Sequence, residues 1–185
     1  MECSSKMMKD KFERVYMNVA KEFASLSYAR KLKVGAILVK DRRILSVGYN
    51  GTPAGWDNEC ESKEYMPSEE YSSDGSEKRW PYQESTYPND DTLLIRRYAL
   101  RTRPEVIHAE MNVLMKIASS NESSKDSVLY CTHTPCIDCA KAIYQAGIAK
   151  VIVEEKYEAG RGTGEEFLHM CGVDIEYLPS HSEPV

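Results

Sequence analysis

Polar and apolar positions in the first 49 residues predict a helix followed by a β-hairpin. Apolar side chains between Met8 and Leu26 recur every three or four residues with lysines and glutamates between them, as on one face of an amphipathic helix. Two short apolar runs follow, Val34–Lys40 and Ile44–Tyr49, separated by three charged residues. Two apolar runs joined by a short polar turn are typical of paired strands. We therefore expect the helix to pack on a sheet that contains this hairpin.

The second half of the chain alternates predicted helices with predicted strands. Helices are expected to begin at His108, at Thr134–Pro135, where a capping threonine precedes a proline, and at the capping-box sequence Thr163–Glu166. Gly147 ends the second of these helices. Helices that alternate with buried strands predict an α/β fold, with a five-stranded mixed sheet covered on both faces. The three strands predicted here are Val128–Thr132, Val151–Val153 and Val173–Leu178.

Between the two halves lies a segment without periodicity, from Trp56 to about Asp91, which is rich in Glu, Ser, Tyr, Pro and Asp. A loop of roughly 35 residues is long for a compact domain, so we interpret it as an acidic insert in a single domain that spans residues 1–185. Its tyrosines and tryptophan argue against complete disorder. Thr92–Leu100 is expected to form a short helix that ends before Pro104.

Composition and charge exclude several classes of function. With a net charge of −5 and a pI near 5.5, the chain lacks the excess of basic residues that binding a nucleic-acid polymer requires. A small substrate is therefore favoured. The six cysteines are irregularly spaced, which suits a reducing compartment better than a disulfide framework. Residues 1–10 are polar, and no apolar run approaches the length of a membrane span. We expect a cytoplasmic protein, in the cytosol of a cell or of a virus-infected host.

Two short motifs indicate a catalytic zinc site. His108 and Glu110 stand in the sequence His-Ala-Glu, and Cys136 and Cys139 stand in the sequence Pro-Cys-Ile-Asp-Cys. One imidazole and two thiolates suit Zn²⁺ and leave its fourth tetrahedral position open for water. Either motif alone is commonly a surface helix or a redox pair. The main alternative to an open site is a closed structural site in which Cys131 or His133 is the fourth ligand.

The expected geometry explains how these residues can cooperate. His108 and Glu110 are two positions apart, or about 200° around a helix, so the metal must lie beyond the helix N-terminus. Zn²⁺ lowers the pKa of a bound water toward about 7. Glu110 can take that proton and return it to a ring nitrogen and to departing ammonia. The motifs therefore predict hydrolytic deamination of an aromatic amidine such as cytosine.

Two further groups have both an ordinary and a functional interpretation. Arg30, Lys31 and Lys33 form a positive cluster that is either a solvated strand entrance or a phosphate clamp. The glycine-rich segment Gly48–Gly55 is either an ordinary turn or a ligand-binding loop in which Asn50 offers its amide to a sugar hydroxyl.

Three segments together resemble the deoxycytidylate deaminase branch of the zinc-dependent cytidine deaminase superfamily. They are GYNGTPAG at residues 48–55, HAEMN at residues 108–112 and TPCIDCA at residues 134–140. The resemblance extends from Val34 to Leu178 apart from the insert. It implies a three-layer α/β/α fold, one catalytic Zn²⁺ per subunit, and hydrolysis of dCMP to dUMP for thymidylate synthesis. The ligands it implies are His108, Cys136 and Cys139, with Glu110 as the proton shuttle.

The same resemblance implies binding partners. Asn50 and Tyr157 become substrate contacts, and the phosphate-clamp interpretation of residues 30–33 is favoured. A homohexamer is implied, activated by dCTP and inhibited by dTTP, with Mg²⁺ accompanying the triphosphate. Lys116 and Ser119 stand where relatives carry an aromatic residue and an arginine linked to the effector response. The implied effector-binding residues are Gly48, Asn50, Gly51 and Asn112.

Four alternatives to dCMP remain open from the residues. The substrate can be dCTP, a free nucleoside or a tRNA adenosine, although RNA binding favours a basic protein. The fourth alternative is a zinc module without catalysis, in which Glu110 has no chemical role.

Overall fold

The computed structural model of the chain describes residues 2–67, 79–86, 94–157 and 164–178, with side chains from residue 11 onward. The first half of this part of the chain forms one helix followed by five strands, and the second half alternates helices with strands. In chain order they are α1 (Glu2–Ser25), β1 (Gly35–Lys40), β2 (Arg43–Tyr49), β3 (Glu61–Tyr65), β4 (Tyr82–Thr86), β5 (Leu94–Thr102), α2 (Ala109–Ala118), β6 (Val128–His133), α3 (Ile137–Gln145), β7 (Lys150–Glu155), α4 (Gly164–Met170) and β8 (Asp174–Tyr177). Thr163, the predicted cap of the last helix, lies outside the described residues.

Five strands form the main sheet in the order β2-β1-β6-β7-β8. β1 is antiparallel to β2 and to β6, whereas β6, β7 and β8 run parallel. Alternate residues of β1 face opposite sides, since Ala36 and Leu38 pack with the apolar residues of α2, α3 and α4, and Ile37 and Val39 pack with those of α1. The predicted three-layer fold with a mixed five-stranded sheet is confirmed.

A second sheet was not expected from the sequence. Strands β3, β5 and β4 form an antiparallel sheet in that order. The helix predicted for Thr92–Leu100 is therefore wrong, because its described part belongs to strand β5. Tyr98 of β5 pairs with Tyr65 on one side and Tyr82 on the other, and their rings lie 6.0 and 5.5 Å from the Tyr98 ring. These cross-strand contacts stabilise strands within a segment that shows no periodicity of its own.

The described part of the predicted insert contains strands that its composition did not indicate. Two of its segments are strands β3 and β4, and its Trp80 is 1% exposed, in a buried cluster with Met66 and Ala99. Tyr71 and Tyr87, two other aromatic residues of the insert, lie outside the described residues. Among the described helices, none has the length and hydropathy that a bilayer span requires.

Candidate functional site

The N-terminus of α2 lies beside that of α3, which follows β6, the middle strand of the main sheet. His108 is the N-cap of α2, with φ −68° and ψ 154°, and Cys136 is the N-cap of α3, with φ −70° and ψ 168°. The predicted start of α3 at Thr134 is wrong by two residues. The Thr134 hydroxyl donates to the Glu155 carbonyl and accepts from the amide of Tyr157. These bonds hold Thr134 beside the end of β7. Because the backbone of Cys136 is extended, α3 begins only after this residue.

The start of α2 is held closely against strand β2. The Nδ2 atom of Asn112 donates to the carbonyl of Tyr49 at 2.8 Å, and the Oγ atom of Ser46 donates to the carbonyl of Val113 at 3.0 Å. A Cβ atom at Gly48 would lie 2.5 Å from the carbonyl oxygen of Ala109, closer than atoms can approach without displacement. Gly48 and Asn112 therefore have packing partners here, and their assignment to an effector site stays a prediction.

Three side chains that can bind a metal lie together between the two helix starts. The Nδ1 atom of His108 lies 3.6 Å from the Sγ atom of Cys136 and 3.4 Å from that of Cys139, and all three atoms lie within 4.8 Å of one another. Tetrahedral Zn²⁺, with Zn–N near 2.0 Å and Zn–S near 2.3 Å, requires an N···S distance of about 3.5 Å. The three donors therefore fit zinc.

The group of potential ligands stops at three within the described part of the chain. Cys131 and His133, the candidates for a fourth ligand in a closed site, are not members of it. Cys131 is fully buried, and its sulfur is not among the donor atoms that lie within 4.8 Å of one another. The structure therefore favours an open site, as catalysis needs.

The two thiols of the group cannot ionise independently. Hydrogen bonds from Cys139 and His108 lower the pKa of Cys136 to about 4, which favours its thiolate form. The hydrogen bond to Cys136 and burial raise the pKa of Cys139, because a second negative charge is unfavourable next to the first. A divalent cation removes this repulsion, so the charge distribution also fits a metal site.

Glu110 lies in the first turn of α2 and is 4% exposed. Burial raises the pKa of its carboxyl, and the nearby His108 opposes this effect. A carboxyl whose pKa is raised toward neutrality can both accept and donate a proton during a reaction. The position and environment of Glu110 therefore suit a general acid and base.

A cavity of about 210 Å³ opens above these residues. His108, Glu110 and Cys136 line it, whereas Cys139 is 2% exposed and lies behind them. Among the other predicted site residues, Lys31, Asn50 and Tyr157 also line the cavity. Arg30, Lys33, Gly48, Gly51 and Asn112 do not.

The basic cluster is thereby divided. Lys31 contributes to the cavity wall, whereas the Nζ atom of Lys33 donates to the carbonyl of Ser25 at the end of α1. Asn50 uses its amide for the same segment, since Oδ1 accepts from the amide of Val34 and Nδ2 donates to the carbonyl of Leu32, both at 2.8 Å. One amide hydrogen and one acceptor position of Asn50 remain for a ligand.

Several lining residues were not identified from the sequence. They come from separate segments: Glu61 and Thr102 are paired residues of the second sheet, Cys60 and Val106 lie in the chain outside those strands, and His133 ends β6. His133 is the residue closest to the known motifs, two positions before Pro135, and its ring meets that of Tyr157 edge-on with centroids 6.4 Å apart. Proximity to the Cys-x-x-Cys motif was the available signal for His133. The lining residues that the sequence did not assign to substrate binding include Cys60, Glu61, Thr102, Val106 and His133, although His133 was considered as a fourth metal ligand.

Comparisons with known proteins agree with this geometry. The sequence model of the family described as "Cytidine and deoxycytidylate deaminase zinc-binding region" matches residues 10–155. The deoxycytidylate deaminase of Enterobacteria phage T4 is 32% identical over 165 residues, covering 80% of this chain and 79% of the phage protein. The human deoxycytidylate deaminase is 30% identical over 175 residues, covering 92% and 82%.

A solved structure is also similar. It is the crystal structure of the dCMP deaminase of cyanophage S-TIM5 in complex with dCMP and dUMP, with a TM-score of 0.67 and 34% identity. The match covers 91% of this chain and 97% of the cyanophage chain.

Proposed function

The chain belongs to the cytidine and deoxycytidylate deaminase family, and on this premise we propose that it hydrolyses dCMP to dUMP and ammonia. One observation supports this choice of substrate. A single cavity contains a potential metal site with His108 and Cys136, the buried carboxyl of Glu110, and Lys31 at its wall. The phage T4 and human relatives named deoxycytidylate deaminase support it.

We assign His108, Cys136 and Cys139 as the residues that hold one Zn²⁺. When bound, Zn²⁺ supplies Lewis acidity that ionises a water at neutral pH. His108 and Cys136 present their donor atoms to the cavity, and Cys139 completes the set from behind. The cap positions of His108 and Cys136 aim two helix N-termini at this point, which stabilises negative charge there.

Glu110 moves the protons of the reaction. It takes a proton from the attacking water and donates it to the pyrimidine ring nitrogen as the C–O bond forms at the amine-bearing carbon. A second proton, from the new hydroxyl, passes through Glu110 to the amino group, which leaves as ammonia while the carbonyl forms. Burial supports both roles, because it brings the pKa of the carboxyl closer to neutrality.

We assign binding of the nucleotide to residues at the wall of the cavity. Lys31 supplies a positive charge for the 5′-phosphate, and we favour it over Arg30 and Lys33 because it lines the cavity. Asn50 and Tyr157 contact the sugar and the base. Tyr157 meets the ring of His133 edge-on, which restricts the position of its own ring.

Regulation and assembly follow from the family resemblance. We propose a cytosolic homohexamer that supplies dUMP for thymidylate synthesis, is activated by dCTP with Mg²⁺ and is inhibited by dTTP. The support is the sequence Gly48-Tyr49-Asn50-Gly51 together with Asn112, which ties the next helix to Tyr49.

An ammonia-release assay tests the proposal. The zinc-loaded protein is compared on dCMP, CMP, cytidine and dCTP, each with and without dCTP or dTTP as effector. We expect the highest kcat/KM on dCMP, at least about tenfold above cytidine, since a phosphate held by a lysine contributes a charge-assisted bond. Higher kcat/KM on dCTP or cytidine would replace the substrate assignment, and no ammonia from any of them would contradict the deaminase mechanism.

A further inference from the structure

The second sheet forms one wall of the cavity. Glu61 is the first residue of β3 and pairs with Thr102 at the end of β5, and both residues line the cavity that contains His108 and Glu110. The preceding Cys60 is 2% exposed and packs with Ala29 and Val106 in a small buried cluster. The position of Glu61 is therefore fixed by strand pairing on one side and by buried packing on the other.

The carboxylate of Glu61 binds the segment that carries Lys31. Its Oε1 atom accepts from the backbone amides of Arg30 at 3.0 Å and Lys31 at 3.1 Å, and its Oε2 atom accepts from the amide of Arg30 at 3.2 Å. Two successive amides that converge on one carboxylate form charge-assisted hydrogen bonds, which are about twice as strong as neutral ones. Glu61 thus orients the peptide units on both sides of Arg30.

The same segment has no regular secondary structure to hold it. Between the end of α1 and the start of β1, residues 27–34 are fixed by side chains that come from elsewhere or from the segment itself. The hydroxyl of Ser27 accepts from the amide of Ala29 and donates to the carbonyl of Asn50, and the Asn50 amide binds residues 32 and 34. Glu61 holds the part between these two attachments, where Lys31 lies.

We propose that Glu61 is a positioning residue for the deamination of the nucleotide: by holding the backbone at Arg30 and Lys31, it directs Lys31 toward the substrate phosphate. This inference rests on the proposed function. It gives the insert a role in the reaction, because the insert contributes β3 and β4 of the sheet from which Glu61 reaches the cavity. Glu61 acts through Lys31 and does not touch the reacting atoms.

The experiment measures KM and kcat for dCMP in Glu61→Gln and Glu61→Ala. Glutamine retains an acceptor oxygen but loses the charge, and alanine loses both. We expect KM to rise about fivefold or more in the alanine variant and by less in the glutamine variant. We expect kcat to stay within about twofold of wild type, because the substitutions leave Glu110 and the amine-bearing carbon of the bound substrate in place. Zinc content is expected to remain one per chain.

The matched control is Glu64→Gln on the same strand. Glu64 is exposed and forms a salt bridge with Arg101. Its substitution by glutamine removes the same charge as Glu61→Gln, at a side chain that binds Arg101 rather than residues 30–31. We expect no change in KM for this variant. Equal increases in KM for the Glu61 and Glu64 variants would overturn the proposal, and so would a KM in Glu61→Gln that is unchanged or lower than in wild type.

A double-mutant cycle tests whether Glu61 acts through Lys31. If it does, Glu61→Ala adds little to the increase in KM caused by Lys31→Gln, because the residue that it positions is already changed. Additive increases would overturn the proposal.

Two further measurements distinguish failure of this proposal from failure of the proposed function. The wild-type protein is assayed first, and the variants are compared on whichever cytosine compound it deaminates. Hydrogen exchange at the amides of Arg30 and Lys31 needs no substrate: we expect it to be at least about tenfold faster in Glu61→Ala than in wild type or Glu64→Gln. Unchanged exchange would overturn the proposal whatever the substrate.

Discussion

The Nδ1 atom of His108 lies 3.4 Å from the Sγ atom of Cys139, although the two residues are 31 positions apart in the chain. The contact joins the N-terminus of α2 to the first turn of α3. A metal ion held between these atoms would link the two helices directly. Metal binding is therefore expected to stabilise the fold as well as the reaction.

Substitution of Cys139 tests this link. Cys139→Ala is expected to bind no zinc and to lose the increase in Tm that zinc gives the wild type. Addition of a chelator should lower Tm in the wild type and leave it unchanged in the variant. Cys131→Ala is the control: its thiol is buried but lies outside the ligand group, so it should retain one zinc and the chelator response. Loss of zinc in Cys131→Ala would instead indicate a closed site.

Replacement of Glu110 separates metal binding from catalysis. Glu110→Gln should retain zinc and lower kcat by at least about 10²-fold, because the amide cannot transfer protons. Its Tm should equal or exceed that of wild type, since a neutral amide is less costly to bury than a carboxylate at a site that is 4% exposed. Substantial activity in this variant, with zinc bound, would assign the proton transfers to another group.

The two lysines of the basic cluster are expected to differ. Lys31 lines the cavity, whereas Lys33 binds the carbonyl of Ser25. Lys31→Gln should therefore raise KM for dCMP about tenfold and leave KM for cytidine unchanged, because one charge-assisted bond to the phosphate is lost. Lys33→Gln should change neither value by more than about twofold. The opposite order would place the phosphate at Lys33.

Gly48 is expected to tolerate no side chain. A Cβ atom there would meet the carbonyl of Ala109 at 2.5 Å and displace the start of α2, which carries both His108 and Glu110. Gly48→Ala should lower the free energy of unfolding by about 1–3 kcal/mol and reduce zinc content. Gly51→Ala is the control, because its nearest contact would be a Tyr49 ring atom at 3.9 Å. Equal stability of the two variants in denaturant unfolding would refute the packing argument.

The lowered pKa of His133 predicts that the free energy of unfolding depends on pH. Burial lowers its pKa in the folded protein, and the carboxylates of Glu155 and Glu154 oppose this effect. Because the unfolded chain then binds the proton more readily, the stability that neutral His133 contributes is present above its ordinary pKa of about 6.5 and is lost as the pH falls through the folded pKa.

The measurement is the free energy of unfolding at pH 8 and at pH 5, with a chelator present throughout so that release of metal does not contribute. His133→Gln should lose less stability than wild type over this interval. An equal loss in both proteins would assign the pH dependence to other groups.

Local pattern was sufficient for the main sheet and for the metal-binding group. The apolar spacing of α1 and the two short runs of the hairpin define elements whose period is visible within ten residues. His108, Glu110, Cys136 and Cys139 were proposed as site residues because each pair lies within one short motif. The start of α2 was also predicted from local sequence, whereas the start of α3 was placed two residues too early.

Tertiary structure alone decided the second sheet and the wall of the cavity. The apolar residues near Tyr98 are spaced in a way that suits a helix as well as a strand, and pairing with Tyr65 and Tyr82 selects the strand. The choice of Lys31 over Lys33 likewise depends on a cavity shared with His108 and Glu110, and the contact of Glu61 with the Lys31 amide joins residues 30 positions apart. Contacts of this range leave no periodic pattern, because each is made once and between segments that meet only after the chain has folded.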